Sequence, residues 1–177
     1  MPSDHSGARH TNEIDGAAPF VNSLDSKMDF DAIFEVVKDS VKFVIGKERS
    51  GLGLALSNLP ATLGAYWQVG GNYIVMNENL IRAMLRLSSS SREFNSFVYM
   101  ILTHEYVHSL GFIDEMEARR VTAEVALTAF GEKHHASRIS SGDLWSLYPQ
   151  LRYVAGGNGD SLRIVSKFDS SATSYIA

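Results

Sequence analysis

The order of apolar and polar positions divides the chain into alternating helical and extended stretches. Phe30, Ile33, Phe34, Val37, Val41, Val44 and Ile45 recur every three or four residues, the spacing that lines one face of an α-helix. Asp29 stands where an N-cap belongs, and Gly46 stands where the run stops. Leu52, Leu54 and Leu56 alternate with small residues and predict a strand ending before Pro60. A second strand is expected from Leu63 to Val69 and a third from Tyr73 to Met76, joined by the turn Gly70-Gly71-Asn72. Asn77 can cap a short helix carrying Leu80, Ile81, Met84, Leu85 and Leu87.

A Ser-rich joint follows, and Ser90-x-x-Glu93 has the form of a capping box. It opens a long helix on which Phe94, Phe97, Val98, Ile101, Leu102, Glu105 and His108 fall on neighbouring turns, with Gly111 as its stop. Asp114 caps a further helix running to Phe130, with Gly131 beyond it. That helix carries Glu115, Glu117 and Glu124. Residues Glu132 to Ser141 read as a loop holding the pair His134-His135. Farther on, Trp145, Tyr148, Tyr153 and Phe168 stand among Gly and Ser, where only a short helix and a strand are expected. Residues 1–27 are polar and read as a disordered tail. The fold class expected is α+β: a catalytic domain over 28–132, and a C-terminal extension over 133–177.

The chemistry lies in Ile101-Leu102-Thr103-His104-Glu105-Tyr106-Val107-His108-Ser109-Leu110-Gly111. On a helix, residues four apart sit one turn above each other. His104 and His108 can therefore aim imidazole nitrogens at one ion, while Glu105 can reach a water bound to it. This is the mechanical content of the His-Glu-x-x-His zinc-peptidase motif.

Composition narrows the alternatives. A chain of 177 residues with 45% apolar residues suits one globular domain with tails. The net charge of −4 and the lack of a Lys/Arg block make nucleic acid or an anionic membrane a poor partner. There is no cysteine, so a metal must be held by His and carboxylates. The missing thiols, the lack of an apolar signal segment and the absence of any run near the ~20 residues that span a bilayer lead to the expectation of a cytoplasmic protein. His5 and His10 in the tail are expected to have no metal role.

A catalytic zinc commonly has three protein ligands and a water. Asp114 fits His-x-x-Gly-x-x-Asp, the metzincin spacing, but Met116 is the only later methionine and lies too close for a Met-turn. Asp114 is therefore read as a cap. Glu115 lies nearer the apolar face formed by Ala118, Val121, Thr122 and Val125 and is the preferred third ligand, ahead of Glu117. Glu124 is expected to be solvated.

The span from about Phe30 to Phe130 resembles the minigluzincins, small soluble archaeal zinc peptidases that look like the catalytic core of membrane heat-shock and CAAX-processing gluzincins. The resemblance rests on Leu52-Gly-Leu-Ala-Leu-Ser-Asn-Leu-Pro60, on Gly64-Ala-Tyr-Trp-Gln-Val-Gly-Gly-Asn-Tyr-Ile-Val-Met-Asn77 and on His104 to Arg119. It implies a small zincin-like domain with a backing helix, a three-stranded sheet, an active-site helix and a glutamate helix. It implies that the strand from Tyr73 to Met76 is the edge along which an extended peptide lies. It also implies latency, with the aromatic-rich segment beyond Leu144 covering the cleft. The membrane relatives carry an aspartate four residues after the glutamate ligand, where this chain has Arg119.

The expected function is zinc-dependent hydrolysis of a peptide or unfolded protein. Zn2+ is held by His104, His108 and Glu115, and Glu105 is the general base. Candidate oxyanion partners are His134, His135, Arg119 and Tyr148. The competing expectation is a zinc-binding scaffold or peptide-binding module without turnover. A homodimer is left open.

Overall fold

The structure is a computed structural model and describes residues 17–169. The tail residues 1–16, with His5 and His10, lie outside that range. The class is α+β, with six α-helices and a four-stranded mixed sheet among the described residues.

Helix α1 (Phe30–Ile45) begins where the Asp29 carboxylate accepts from the Ala32 N–H at 2.8 Å, and ends at Gly46, which has φ 68°. Its buried stripe of Ile33, Phe34, Val37 and Val41 faces the core. Three strands follow: β1 (Gly53–Ser57), β2 (Ala65–Trp67) and β3 (Tyr73–Asn77). Leu54, Leu56, Ile74 and Met76 enter the main core, while Ala55 and Val75 turn to the other face and cluster with Leu59. Asn77 closes β3 and opens α2 (Glu78–Leu87). Its Oδ1 accepts from Asn79 N–H, and its amide donates to the carbonyls of Leu59, Pro60 and Leu63.

Helix α3 (Ser91–Ser109) crosses the middle of the domain, and α4 (Glu115–Phe130) folds back against it. Tyr106 meets Phe34 edge to face at 5.4 Å, and the Tyr99 hydroxyl shares a hydrogen bond of 2.8 Å with Ser40, so α1 and α3 are locked at two levels. Ser90 caps α3 through the Glu93 N–H at 3.1 Å, but Glu93 does not return to Ser90. Its carboxylate accepts from Ser89 and Tyr148 instead.

Four expectations change. First, the sheet has four strands and not the three the resemblance implies: the strand expected in the C-terminal stretch, β4 (Leu162–Ile164), joins it antiparallel to β1. Its three residues are all exposed, so no alternation signals it. Second, the strand order is β2-β3-β1-β4, with β1 and β3 parallel. The third strand is therefore interior, and the edge beside α3 is β2. Third, the stretch read as a loop from 132 to 141 forms α5 (His135–Ser141), held to α4 by the Ser137 hydroxyl donating to the Ala126 carbonyl at 3.0 Å.

Fourth, residues 17–27 are not a loose tail. They form turns docked on the domain, with Leu24 fully buried, Phe20 N–H bonded to the Ala129 carbonyl, and Asn95 donating to the carbonyls of Leu24 and Ser26. Burying Leu24 contributes about 1.5–3 kcal/mol toward holding the strap, alongside these hydrogen bonds and the Asp25–Arg92 ion pair.

The C-terminal part is likewise built into the domain. After α6 (Leu144–Leu147) and a 3-10 turn (Pro149–Tyr153), the chain runs to β4 on the sheet edge opposite β2. Phe168 stacks on Phe34 at 4.5 Å, and the buried Asp169 accepts from Lys38 and from the N–H groups of Gly51 and Leu52. No helix among the described residues is long and apolar enough to cross a membrane.

Candidate metal centre

The early turns of α3 bury Phe97, Val98, Tyr99, Ile101 and Leu102, which fixes the helix before it reaches the polar motif. His104 and His108 then project from one face into a cleft of about 1150 Å³. The helix ends at Leu110. Gly111, with φ 107°, turns the chain so that the Phe112 carbonyl comes back to His108 Nδ1 at 2.7 Å. Asp114 starts α4, its carboxylate accepting from the Glu117 N–H at 2.9 Å. One residue on, the Glu115 carboxylate lies over both imidazoles.

The geometry is tight. His104 Nε2 stands 3.1 Å from His108 Nε2 and 3.0 Å from Glu115 Oε1, and His108 Nε2 stands 3.1 Å from Glu115 Oε2. These residues are the metal-capable group found among the described residues. Glu117 and Glu124 lie outside it: Glu117 is exposed, and Glu124 pairs with Arg120 at 3.1 Å. Asp114 is a cap.

The donor chemistry fits a divalent ion. A carbonyl only accepts, so the hydrogen on His108 sits at Nδ1, and neutral His108 presents a lone pair at Nε2. That lone pair faces a carboxylate oxygen and a second imidazole nitrogen. Acceptors packed at this range repel unless a proton or a cation lies among them. Zinc bonds of about 2.0–2.2 Å in a tetrahedral sphere set donors about 3.4 Å apart, close to the spacing here. The Phe112 carbonyl is the backbone partner that commonly orients a ligating histidine.

Charge is arranged around the same point. Burial pushes the His104 imidazolium toward its neutral form, against the pull of the Glu115 carboxylate. Burial would also raise Glu115, but His104, Arg119 and His108 outweigh it and hold the carboxyl below its usual range. Arg119 contributes directly, its Nε donating to Glu115 Oε1 at 3.2 Å. Glu105 behaves oppositely. It is 7% exposed, and burial raises its carboxyl to about 7. The Glu115 charge adds to that rise, while His108 and the backbone N–H of Trp67 on β2 oppose it. Two carboxylates beside one another are thus driven apart in proton affinity.

The other residues singled out by the sequence fall elsewhere. His134 is buried and caps α5 through Nδ1, which accepts from Ala136 N–H at 3.0 Å. His135 lies 3.9 Å from Glu93, and Tyr148 donates to that same Glu93. None of the three lines the cleft, whereas Arg119 does. Among the described residues past Leu144, where a cover for the cleft is expected, Trp145 alone lines it. The sequence missed the Phe112 carbonyl, the Trp67 N–H and the wall from Ile139 to Trp145. The first two are backbone groups that leave no signature in residue type. Comparison of the chain with protein-family models, with curated proteins and with solved structures yields no match.

Proposed function

We propose that this chain is a zinc-dependent peptidase of the minigluzincin kind, with a small zincin-like domain acting on peptides or unfolded protein. The observation that carries the reading is the convergence of His104, His108 and both oxygens of Glu115 within 3.0–3.1 Å, beside the buried acid Glu105. A bound zinc would supply Lewis acidity, making water a nucleophile near neutral pH and drawing charge from the carbonyl.

The chain supplies the rest. His104, His108 and Glu115 would hold the ion, and the Phe112 carbonyl orients His108. Glu105 takes a proton from the attacking water as its oxygen adds to the peptide carbon. The carbonyl π pair moves to oxygen. When that pair returns, the C–N bond breaks and Glu105 hands its proton to the departing amine, leaving a carboxyl group and an amine. Burial, which raises the Glu105 carboxyl, favours its holding the proton between the two transfers. The β2 edge lies at the mouth of the cleft, where the main chain about Ala65 can pair with an extended peptide.

The test is hydrolysis of a denatured protein by zinc-loaded chain, with and without chelator, next to Glu105→Gln. Removing a general base is expected to cost about 10²–10⁴-fold in kcat while zinc stays bound. Protein that takes up no zinc, or a Glu105→Gln variant cutting at the parent rate, overturns the proposal. Zinc uptake without hydrolysis would leave a metal-binding scaffold instead.

A further inference from the structure

Hydrolysis of a peptide places a full negative charge on the carbonyl oxygen. A donor aimed at that oxygen is often the largest single contribution to rate. The residues able to serve are separated by where the fold puts them. His134 is spent on a helix cap inside the core, and His135 and Tyr148 are turned to Glu93. Tyr66 is at the cleft, but its register partner is Val75, so its side chain shares the sheet face turned away from α3. Arg120 is paired with Glu124.

Arg119 is placed differently. It lies one helical turn after Glu115, and its Nε is bonded to the same Oε1 that stands 3.0 Å from His104. We propose that Arg119 is the oxyanion-binding residue of the cleft, its Nε holding Glu115 while its Nη groups donate to the carbonyl oxygen of the bound peptide. The inference rests on the peptidase reading above.

Three features support the assignment. The guanidinium has five N–H donors in a fixed fork, and only Nε has an acceptor among the described residues. The side chain is 74% exposed, so the remaining donors face solvent in the cleft rather than a protein partner. Arginine stays charged throughout the reaction, so it stabilises the oxyanion by hydrogen bonds and transfers no proton. The proton thus remains the business of Glu105 alone.

The experiment uses the full zinc-loaded chain and the variants Arg119→Gln, Arg119→Lys and Arg120→Gln. Three quantities are measured: kcat and KM on a fluorogenic peptide that the parent cuts, zinc affinity by competition with a chromophoric chelator, and inhibition by a phosphonate peptide, a tetrahedral anion resembling the oxyanion. Arg119→Gln is expected to lose about 10²-fold in kcat, the low end for an oxyanion donor because this one is exposed, with KM changed by less than about threefold. Phosphonate affinity should fall in the same proportion. Arg119→Lys should recover part of both losses, and Arg120→Gln should match the parent.

Parent-like kcat in Arg119→Gln overturns the inference. So does a loss that saturating zinc restores, which would make Arg119 only a support for Glu115, or a phosphonate affinity that does not move. A parent chain that cuts no peptide brings down the peptidase reading and this inference with it. A chelator-sensitive parent with an unimpaired Arg119→Gln removes this inference alone.

Discussion

Two histidine pairs in this chain show how spacing decides what a side chain does. His104 and His108 are four apart on α3, so their rings meet edge to face one turn from each other, 4.7 Å apart, with Nε2 atoms 3.1 Å apart. His134 and His135 are adjacent, the first the extended N-cap of α5 and the second its first residue, and their side chains take different partners. His134 packs against Phe130 at 4.7 Å and accepts a backbone N–H, while His135 looks toward Glu93. Both pairs lie near acids. Only the first has a carboxylate folded back over it by a following helix, and that closing residue turns two imidazoles into a donor set.

The comparison breaks most visibly by removing one member of each pair. His108 touches His104, Glu115 and the Phe112 carbonyl, so His108→Ala removes a donor together with the contact that orients it. A zinc site worth about 10–16 kcal/mol shared among three or four donors implies a loss of about 10²- to 10⁴-fold in affinity, and hydrolysis should vanish at ordinary zinc concentrations. His135→Ala should change neither. Chelator competition and peptide assays on the two variants check this. Equal zinc affinity in both would remove the distinction between the pairs.

A smaller effect separates the pairs by pH. Burial, with the Arg92 charge beside it, drives His134 down to about 4, against the pull of Asp25. The sign follows from the two states. Above about pH 6.5 His134 is neutral whether the chain is folded or not, and it makes no difference. Between about 6.5 and 4 the unfolded chain binds a proton that the folded chain refuses, so stability falls as pH falls, by about 3 kcal/mol in all, and then levels off. Protonation would also take away the Nδ1 acceptor that caps α5. Urea unfolding from pH 7 to 4 should show this loss in the parent. In His134→Asn, which can still cap but does not titrate, the His134 part of the slope should be missing. Equal slopes would mean that His134 is not the responsible group.

Much of this fold is legible in the sequence because helix ends are local chemistry. Asp29, Asn77, Ser90 and Asp114 cap the helices they were expected to cap, and Gly46 and Gly131 end theirs. What is not legible depends on distant partners. Phe20, Val21 and Leu24 show no helical or strand period, and the groups that order them, Arg92, Asn95 and the Ala129 carbonyl, lie far along the chain. The hairpin of β2 and β3 was readable from Gly70-Gly71-Asn72, but the hairpin pattern does not say which of its strands pairs with β1. The choice between Glu115 and Glu117 was open for a similar reason. They are two residues apart, on opposite sides of α4, and the side that faces α3 is set by the turn at Gly111 and not by either glutamate.

The smallest test concerns Asp114, which stands next to a proposed ligand yet resembles His134 in its role. Its carboxylate accepts the Glu117 N–H at 2.9 Å and lies outside the cluster of metal-capable donors. If it only caps α4, Asp114→Ala should cost about 1 kcal/mol, the worth of an N-cap, and lower Tm by about 2–4 °C. Asp114→Asn should recover most of that, because the amide oxygen still accepts. In both variants zinc affinity should stay within about threefold of the parent, since the first turn of α4 is also held by packing and Glu115 is unchanged. A ligand would behave otherwise: losing it should weaken zinc by about 10²-fold or more, and asparagine would restore little of that. The pattern across the two variants, and not the size of either loss alone, therefore tells a cap from a donor one residue away from where the ion would sit.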